Sequence, residues 1–138
     1  MSEKDGEMCW DFVALFQEIK AGLKKCKEIG KIPVSVGVDT WGVDFVLLDE
    51  NDRVLGNTVG YRDDRNIGMD EEVYKIIPED ELYARTGIQK AIFNTIYQLM
   101  AVKSKHPEYL EKAKTFLMVP DYFHYLLSGV KSNEYTEA

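Results

Sequence analysis

The densest cluster of ligand-capable residues in the chain is Asp39-Thr40-Trp41-Gly42-Val43-Asp44. A glycine flanked by a tryptophan and two carboxylates lets a ligand approach the backbone, with an indole as a stacking wall and carboxylates as hydroxyl acceptors. That is chemistry suited to holding a polyol. The same residues also read as a core tryptophan beside a bulge glycine, and the residue types alone do not separate the two.

Two further segments carry polar groups in suggestive spacing. Tyr61-Arg62-Asp63-Asp64-Arg65 mixes two guanidinium groups with two carboxylates, either to clamp a hydroxylated ligand or to form local ion pairs on a solvated loop. In Phe93-Asn94-Thr95-Ile96-Tyr97-Gln98, Asn94 and Gln98 stand four apart, so they share a helical face and could point together into a cleft; Asn94 as a plain helix cap is the alternative. His106 and His124 lack partners at metal-ligand spacing. The chain has no Walker A loop, no Gly-x-Gly-x-x-Gly, no Gly-x-Ser-x-Gly and no Cys-x-x-Cys, so no recognised loop binds a nucleoside triphosphate.

These segments need elements to position them. Phe12, Leu15, Phe16, Ile19, Leu23 and Cys26 recur at helical spacing, which predicts a helix over 11–29 capped by Asp11 and stopped by Gly30. Val34 to Asp39, rich in β-branched residues, predicts a buried strand that delivers Trp41 and Gly42 to its carboxyl end, where open α/β sheets bind ligands. Gly42 to Asp49 predicts a second strand, Glu50 to Arg53 a turn, and Val54 to Gly56 a return strand. Helical patterns follow on both sides of Pro78, from Asn94 or Thr95 to before Pro107, and over 109–113. Thr115 to Val119 reads as another buried strand, and Pro120 opens a helix that Gly129 ends. Alternating helices and strands give an α/β class. No strand is expected before the first helix, which suggests a segment of something larger.

Composition bounds the rest. The chain has 138 residues, 45% hydrophobic and 30% charged, the balance of one soluble globular domain. A net charge of −7 opposes binding to a nucleic-acid backbone. No apolar run approaches the ~20 residues that span a bilayer, and the polar N-terminus is no secretory signal. Cys9 and Cys26 make no disulfide framework. No nucleic-acid or membrane partner is expected, and the location is cytoplasmic.

At Gly37-Val38-Asp39-Thr40-Trp41-Gly42-Val43-Asp44-Phe45 the chain resembles the FGGY family of carbohydrate kinases, and the resemblance runs from about Trp10 to Ala138. Tyr61-Arg62-Asp63-Asp64-Arg65 is similar to the family's Tyr-Arg-Asp-x-Arg loop. Glu81-Leu82-Tyr83, Arg85-Thr86-Gly87-Ile88-Gln89, Phe93 to Leu99, Val119-Pro120-Asp121-Tyr122-Phe123, Leu127-Ser128-Gly129 and Glu134-Tyr135-Thr136 follow in order. Gln98 and Ala101 stand where the family usually carries lysine and tryptophan, a departure shared by the branch that acts on L-rhamnulose. Glu137 stands where asparagine is common.

The resemblance implies an actin-like, ribonuclease H-like ATPase fold, of which residues 1–138 form part of the N-terminal sugar-binding domain, without the first strands or the C-terminal domain. It implies transfer of the ATP γ-phosphate, with Mg2+, to a ketose, L-rhamnulose first; another ketose or polyol, or a non-catalytic sugar-binding module, is the alternative. The sugar-binding residues it implies are Gly42 foremost, then Trp41, Asp44, Phe93 and Asn94. It places the phosphate-binding hairpin upstream of Met1, and the general base and adenosine site beyond Ala138. Neither ATP nor metal is therefore expected on this chain, which should be inactive alone and, lacking covering elements, prone to self-association.

Overall fold

The structure, a computed structural model, describes residues 1–136. Glu137, with its family departure, lies outside the described residues. The core forms around one antiparallel strand pair, β3 (Phe45–Leu48) against β4 (Thr115–Met118), in the register Phe45 to Met118 through Leu48 to Thr115. All four β3 residues are buried, so each face of the pair must be covered. Val46 and Leu48 pack with Leu117, Val119, Phe12 and Phe123 on one face. Phe45 and Leu47 pack with Met118 and Val102 on the other. The period-two alternation of β3 thus feeds two apolar clusters.

Helix α1 (Phe12–Glu28) starts where expected: the Asp11 carboxylate accepts from the Ala14 N–H at 2.8 Å. Its Leu15, Phe16 and Ile19 pack against the first cluster, but only Phe12 is fully buried. Helices α2 (Met69–Tyr74) and α3 (Glu79–Thr86) flank Pro78, and Gly87 ends α3 at φ 66°. Helix α4 (Thr95–Lys105) covers the second cluster, with α5 (Pro107–Lys112) next to it. Helix α6 (Val119–Ser128) begins immediately after β4 and ends at Gly129, φ 75°.

Three expectations fail. The N-terminus does not lead directly into a helix: β1 (Ser2–Lys4) and β2 (Glu7–Cys9) form an antiparallel hairpin. Asp5 and Gly6, at φ 54° and 80°, make its two-residue turn, the geometry that Asp-Gly favours. A bridge from Cys9 to Val59 and the Trp10 N–H on the Thr58 carbonyl (2.8 Å) join this hairpin to the body. Nor do residues 34–39 form a buried strand. Among the described residues no strand pairs with them, Val34 is fully exposed, and the Val38 N–H donates instead to His124 Nε2 at 3.0 Å. β-Branched residues make a strand only where a neighbour completes the ladder and covers the side chains. The expected return strand at 54–56 shrinks to a single bridge between Leu48 and Val54, plus the Leu55 N–H on the Leu47 carbonyl.

Candidate functional site

The Trp41–Asp44 turn is held from beneath by one buried carboxylate. Asp44 is fully buried just before β3, and its Oδ2 accepts from two indoles, Trp10 Nε1 at 2.7 Å and Trp41 Nε1 at 2.8 Å. The two indole rings lie 4.3 Å apart, tilted by 35°. Asp44 Oδ1 accepts from Gln98 Nε2 at 3.1 Å. Burial raises the Asp44 pKa above its ordinary 3.8, opposed by the hydrogen bonds from Trp41, Trp10 and Gln98 and by the nearby Arg65 charge.

Gln98, buried at 0% exposure on the inner face of α4, works as a clasp. Besides Asp44, its Nε2 faces the Val43 carbonyl at 3.0 Å and the Phe93 carbonyl at 2.9 Å. Three acceptors thus share the two hydrogens of one amide. Thr95 Oγ1 donates to the same Val43 carbonyl at 3.0 Å. Val43 sits at φ 70°, a left-handed conformation that is unusual for a β-branched residue.

Beside this support lies a cleft of about 830 Å³ lined in part by Gly42, Val43, Asn94, Thr95, Tyr74, Tyr83 and Lys90. Lys90 Nζ pairs with Asp70 at 2.6 Å and lies over the Tyr74 ring, and the Tyr74 hydroxyl meets that of Tyr97 at 3.0 Å. Burial and that hydrogen bond push the Tyr97 pKa up, so it stays a neutral phenol. Polar groups of Asn94, Thr95 and Lys90 stand among apolar lining side chains such as Leu82, Ile88, Ile96 and Met118, a mixture able to bind a small polyhydroxylated molecule.

Gly42 and Asn94 both line this cleft, whereas Trp41, Asp44 and Phe93 are not among its lining residues. The Asp44 carboxylate, expected to accept ligand hydroxyls, is buried and accepts from three side chains. Trp41 stacks on Trp10 behind the turn, and Phe93 packs edge-on against Tyr61 at 5.8 Å. Asn94 occupies the cap position of α4 without a side-chain capping bond; its Nδ2 donates to the Gln89 carbonyl at 3.0 Å. The Tyr61–Arg65 loop is a tie rather than a clamp, since Asp63 accepts from the Met8 N–H at 2.6 Å and from the Arg65 N–H at 2.8 Å. Sequence reasoning missed Trp10 and the clasp role of Gln98; a tryptophan directly before a capping aspartate was the available signal for the first.

Among the described residues, no three of His, Cys, Asp and Glu converge to hold a metal ion, and no helix is long and apolar enough to cross a membrane. His106 stacks on Tyr109 at 4.8 Å, and His124 is taken up by Val38.

Comparison with known proteins assigns this architecture. The profile of the FGGY family of carbohydrate kinases, N-terminal domain, matches residues 1–138. A rhamnulokinase of Halalkalibacterium halodurans is 60% identical over 136 residues, covering 99% of this chain and 29% of the relative. A rhamnulokinase of Oceanobacillus iheyensis is 54% identical over 94% of this chain and 28% of the relative. The chain thus spans under a third of the length of the curated relatives it matches. Among solved structures, a carbohydrate kinase from Novosphingobium aromaticivorans superposes with a TM-score of 0.80 at 20% identity, covering 99% of this chain and 29% of that one. A ligand-bound xylulose kinase from Lactobacillus acidophilus gives 0.73 at 19% identity, covering 95% and 27%. The chain shares the fold of those neighbours, and it belongs to the FGGY family of carbohydrate kinases.

Proposed function

We propose that this chain is part of the N-terminal, sugar-binding domain of an ATP-dependent kinase that phosphorylates the primary hydroxyl of L-rhamnulose. The observation that carries this reading is the 60% identity to a rhamnulokinase across 99% of the chain. The cleft supports it, because Gly42 and Asn94 both line it and it is roomy enough to admit a monosaccharide. Gly42 is the principal sugar contact and Asn94 a second; Trp41 and Asp44 act behind the turn, and Phe93 stands at its rim. ATP and Mg2+ belong to the whole protein. In this reading the general base and the adenosine site belong to parts of the parent protein outside residues 1–138. A cytoplasmic location, and self-association of the isolated 138-residue chain, go with this reading.

The test is a phosphorylation panel on the full-length protein with MgATP and L-rhamnulose, L-fuculose and D-xylulose as acceptors. The expected result is the highest kcat/KM for L-rhamnulose. A higher kcat/KM for another ketose overturns the substrate, and no transfer to any of them overturns the activity.

A further inference from the structure

A β-branched residue held left-handed beside the candidate sugar contact needs a cause. Val43 at φ 70° costs on the order of 1–3 kcal/mol and persists only where its surroundings over-determine it. They do so from three directions. Thr95 Oγ1 and Gln98 Nε2 each donate to the Val43 carbonyl at 3.0 Å. One residue on, Asp44 is gripped by Trp10, Trp41 and Gln98, and its own carbonyl accepts from the Val119 N–H at 3.2 Å. Trp10 is itself fixed on both backbone sides by Thr58, whose carbonyl takes the Trp10 N–H at 2.8 Å and whose hydroxyl donates to the Trp10 carbonyl at 2.5 Å. The strained residue therefore hangs between the segment that enters α1, the edge of the β3–β4 pair and the start of α4. Directly before it, Gly42 faces the cleft.

We infer that Trp10 and Gln98 are positioning residues for sugar binding: acting through Asp44 and the Val43 carbonyl, they hold the left-handed turn that presents the Gly42 backbone to the sugar. Neither side chain lines the cleft, so neither touches the sugar. A core-packing role alone would lower stability and leave affinity unchanged. A positioning role moves the sugar's KM, because a turn free to relax toward ordinary φ withdraws Gly42 from its contact. The inference rests on the reading of the chain as the sugar domain of a ketose kinase.

The test uses the full-length protein with Gln98→Met, which keeps the volume and removes the donors, and Trp10→Phe, which keeps the aromatic stack and removes one donor. KM for L-rhamnulose, KM for MgATP, kcat and Tm are measured for each. Gln98→Met is expected to raise the sugar KM about tenfold or more and Trp10→Phe about threefold, with KM for ATP within about twofold of wild type. If Gln98→Met does not fold, Trp10→Phe carries the test with the same reading. An unchanged sugar KM, whatever happens to Tm, overturns the inference, as does an equal rise in both KM values. If the wild type phosphorylates no ketose, the functional reading fails and this inference with it. A wild type active on L-rhamnulose with variants of unchanged KM sinks the inference alone.

Discussion

The stability of the Gln98→Met variant is a separate question from its affinity, and its magnitude follows from the clasp. The substitution removes one donor from three buried acceptors, Asp44 Oδ1, the Val43 carbonyl and the Phe93 carbonyl. Val43 keeps Thr95, so its loss is partial. The bond to the Asp44 carboxylate is the expensive one, because a hydrogen bond to a charged group contributes about 1.5–3 kcal/mol and its loss leaves buried charge under-solvated. The Phe93 carbonyl adds about 1 kcal/mol, and the better burial of a thioether returns about 1 kcal/mol. The net loss at neutral pH is about 1.5–3 kcal/mol.

The pH dependence gives this prediction its sign. Burial already raises the Asp44 pKa above 3.8 in the folded state. A carboxyl with a raised folded pKa binds more protons folded than unfolded, so its contribution to stability is present below the unfolded pKa and is lost as pH rises through the folded one. Removing Gln98, one of the hydrogen bonds that oppose the rise, lifts the folded pKa further. The variant's deficit is therefore largest at neutral pH and shrinks as pH falls through the raised Asp44 pKa toward 4. Urea denaturation of wild type and variant across that range reads it directly. A deficit under about 1 kcal/mol at pH 7, or one that does not change with pH, refutes the clasp as described.

Two further predictions concern the frame. Gly6→Ala places a Cβ at φ 80° in the turn between β1 and β2, and is expected to cost about 1 kcal/mol by urea denaturation, with no change in a variant at the regular helix site Gly22 beyond a small gain. Ile32, Val34 and Val36 are exposed along the unpaired segment beside an incompletely covered α1; light scattering on the 138-residue chain is expected to show oligomers, and Val34→Lys to shift them toward monomer.

Much of the frame was legible because it depends on local signals. Asp11, Pro78, Gly87, Pro107, Pro120 and Gly129 each mark a boundary that the backbone obeys, since caps and ring constraints act within a few residues. What failed depended on partners. Residues 34–39 have strand composition, but a ladder needs a second strand, and none among the described residues pairs with them. The β1–β2 hairpin escaped notice because its residues are polar and mostly exposed, leaving Asp5-Gly6 as its one cue. At the site, residue type suggested that Asp44 would meet a ligand, whereas burial gives its carboxylate to two indoles and an amide. Asn94 and Gln98 part company because Asn94 is the cap, outside helical geometry, so four-residue spacing does not put them on one face. Gly42 was legible as a place where backbone meets cleft, though not the strain at Val43 that sets it there.

The most direct test of the account is the sugar KM of Gly42→Leu in the full-length protein. Gly42 is exposed and lines the cleft, so an isobutyl group there is expected to crowd the space assigned to the sugar. The account predicts a rise in KM for L-rhamnulose of about a hundredfold, with Tm within a few degrees of wild type and KM for MgATP unchanged. A Gly42→Leu protein that binds L-rhamnulose as tightly as wild type would contradict it.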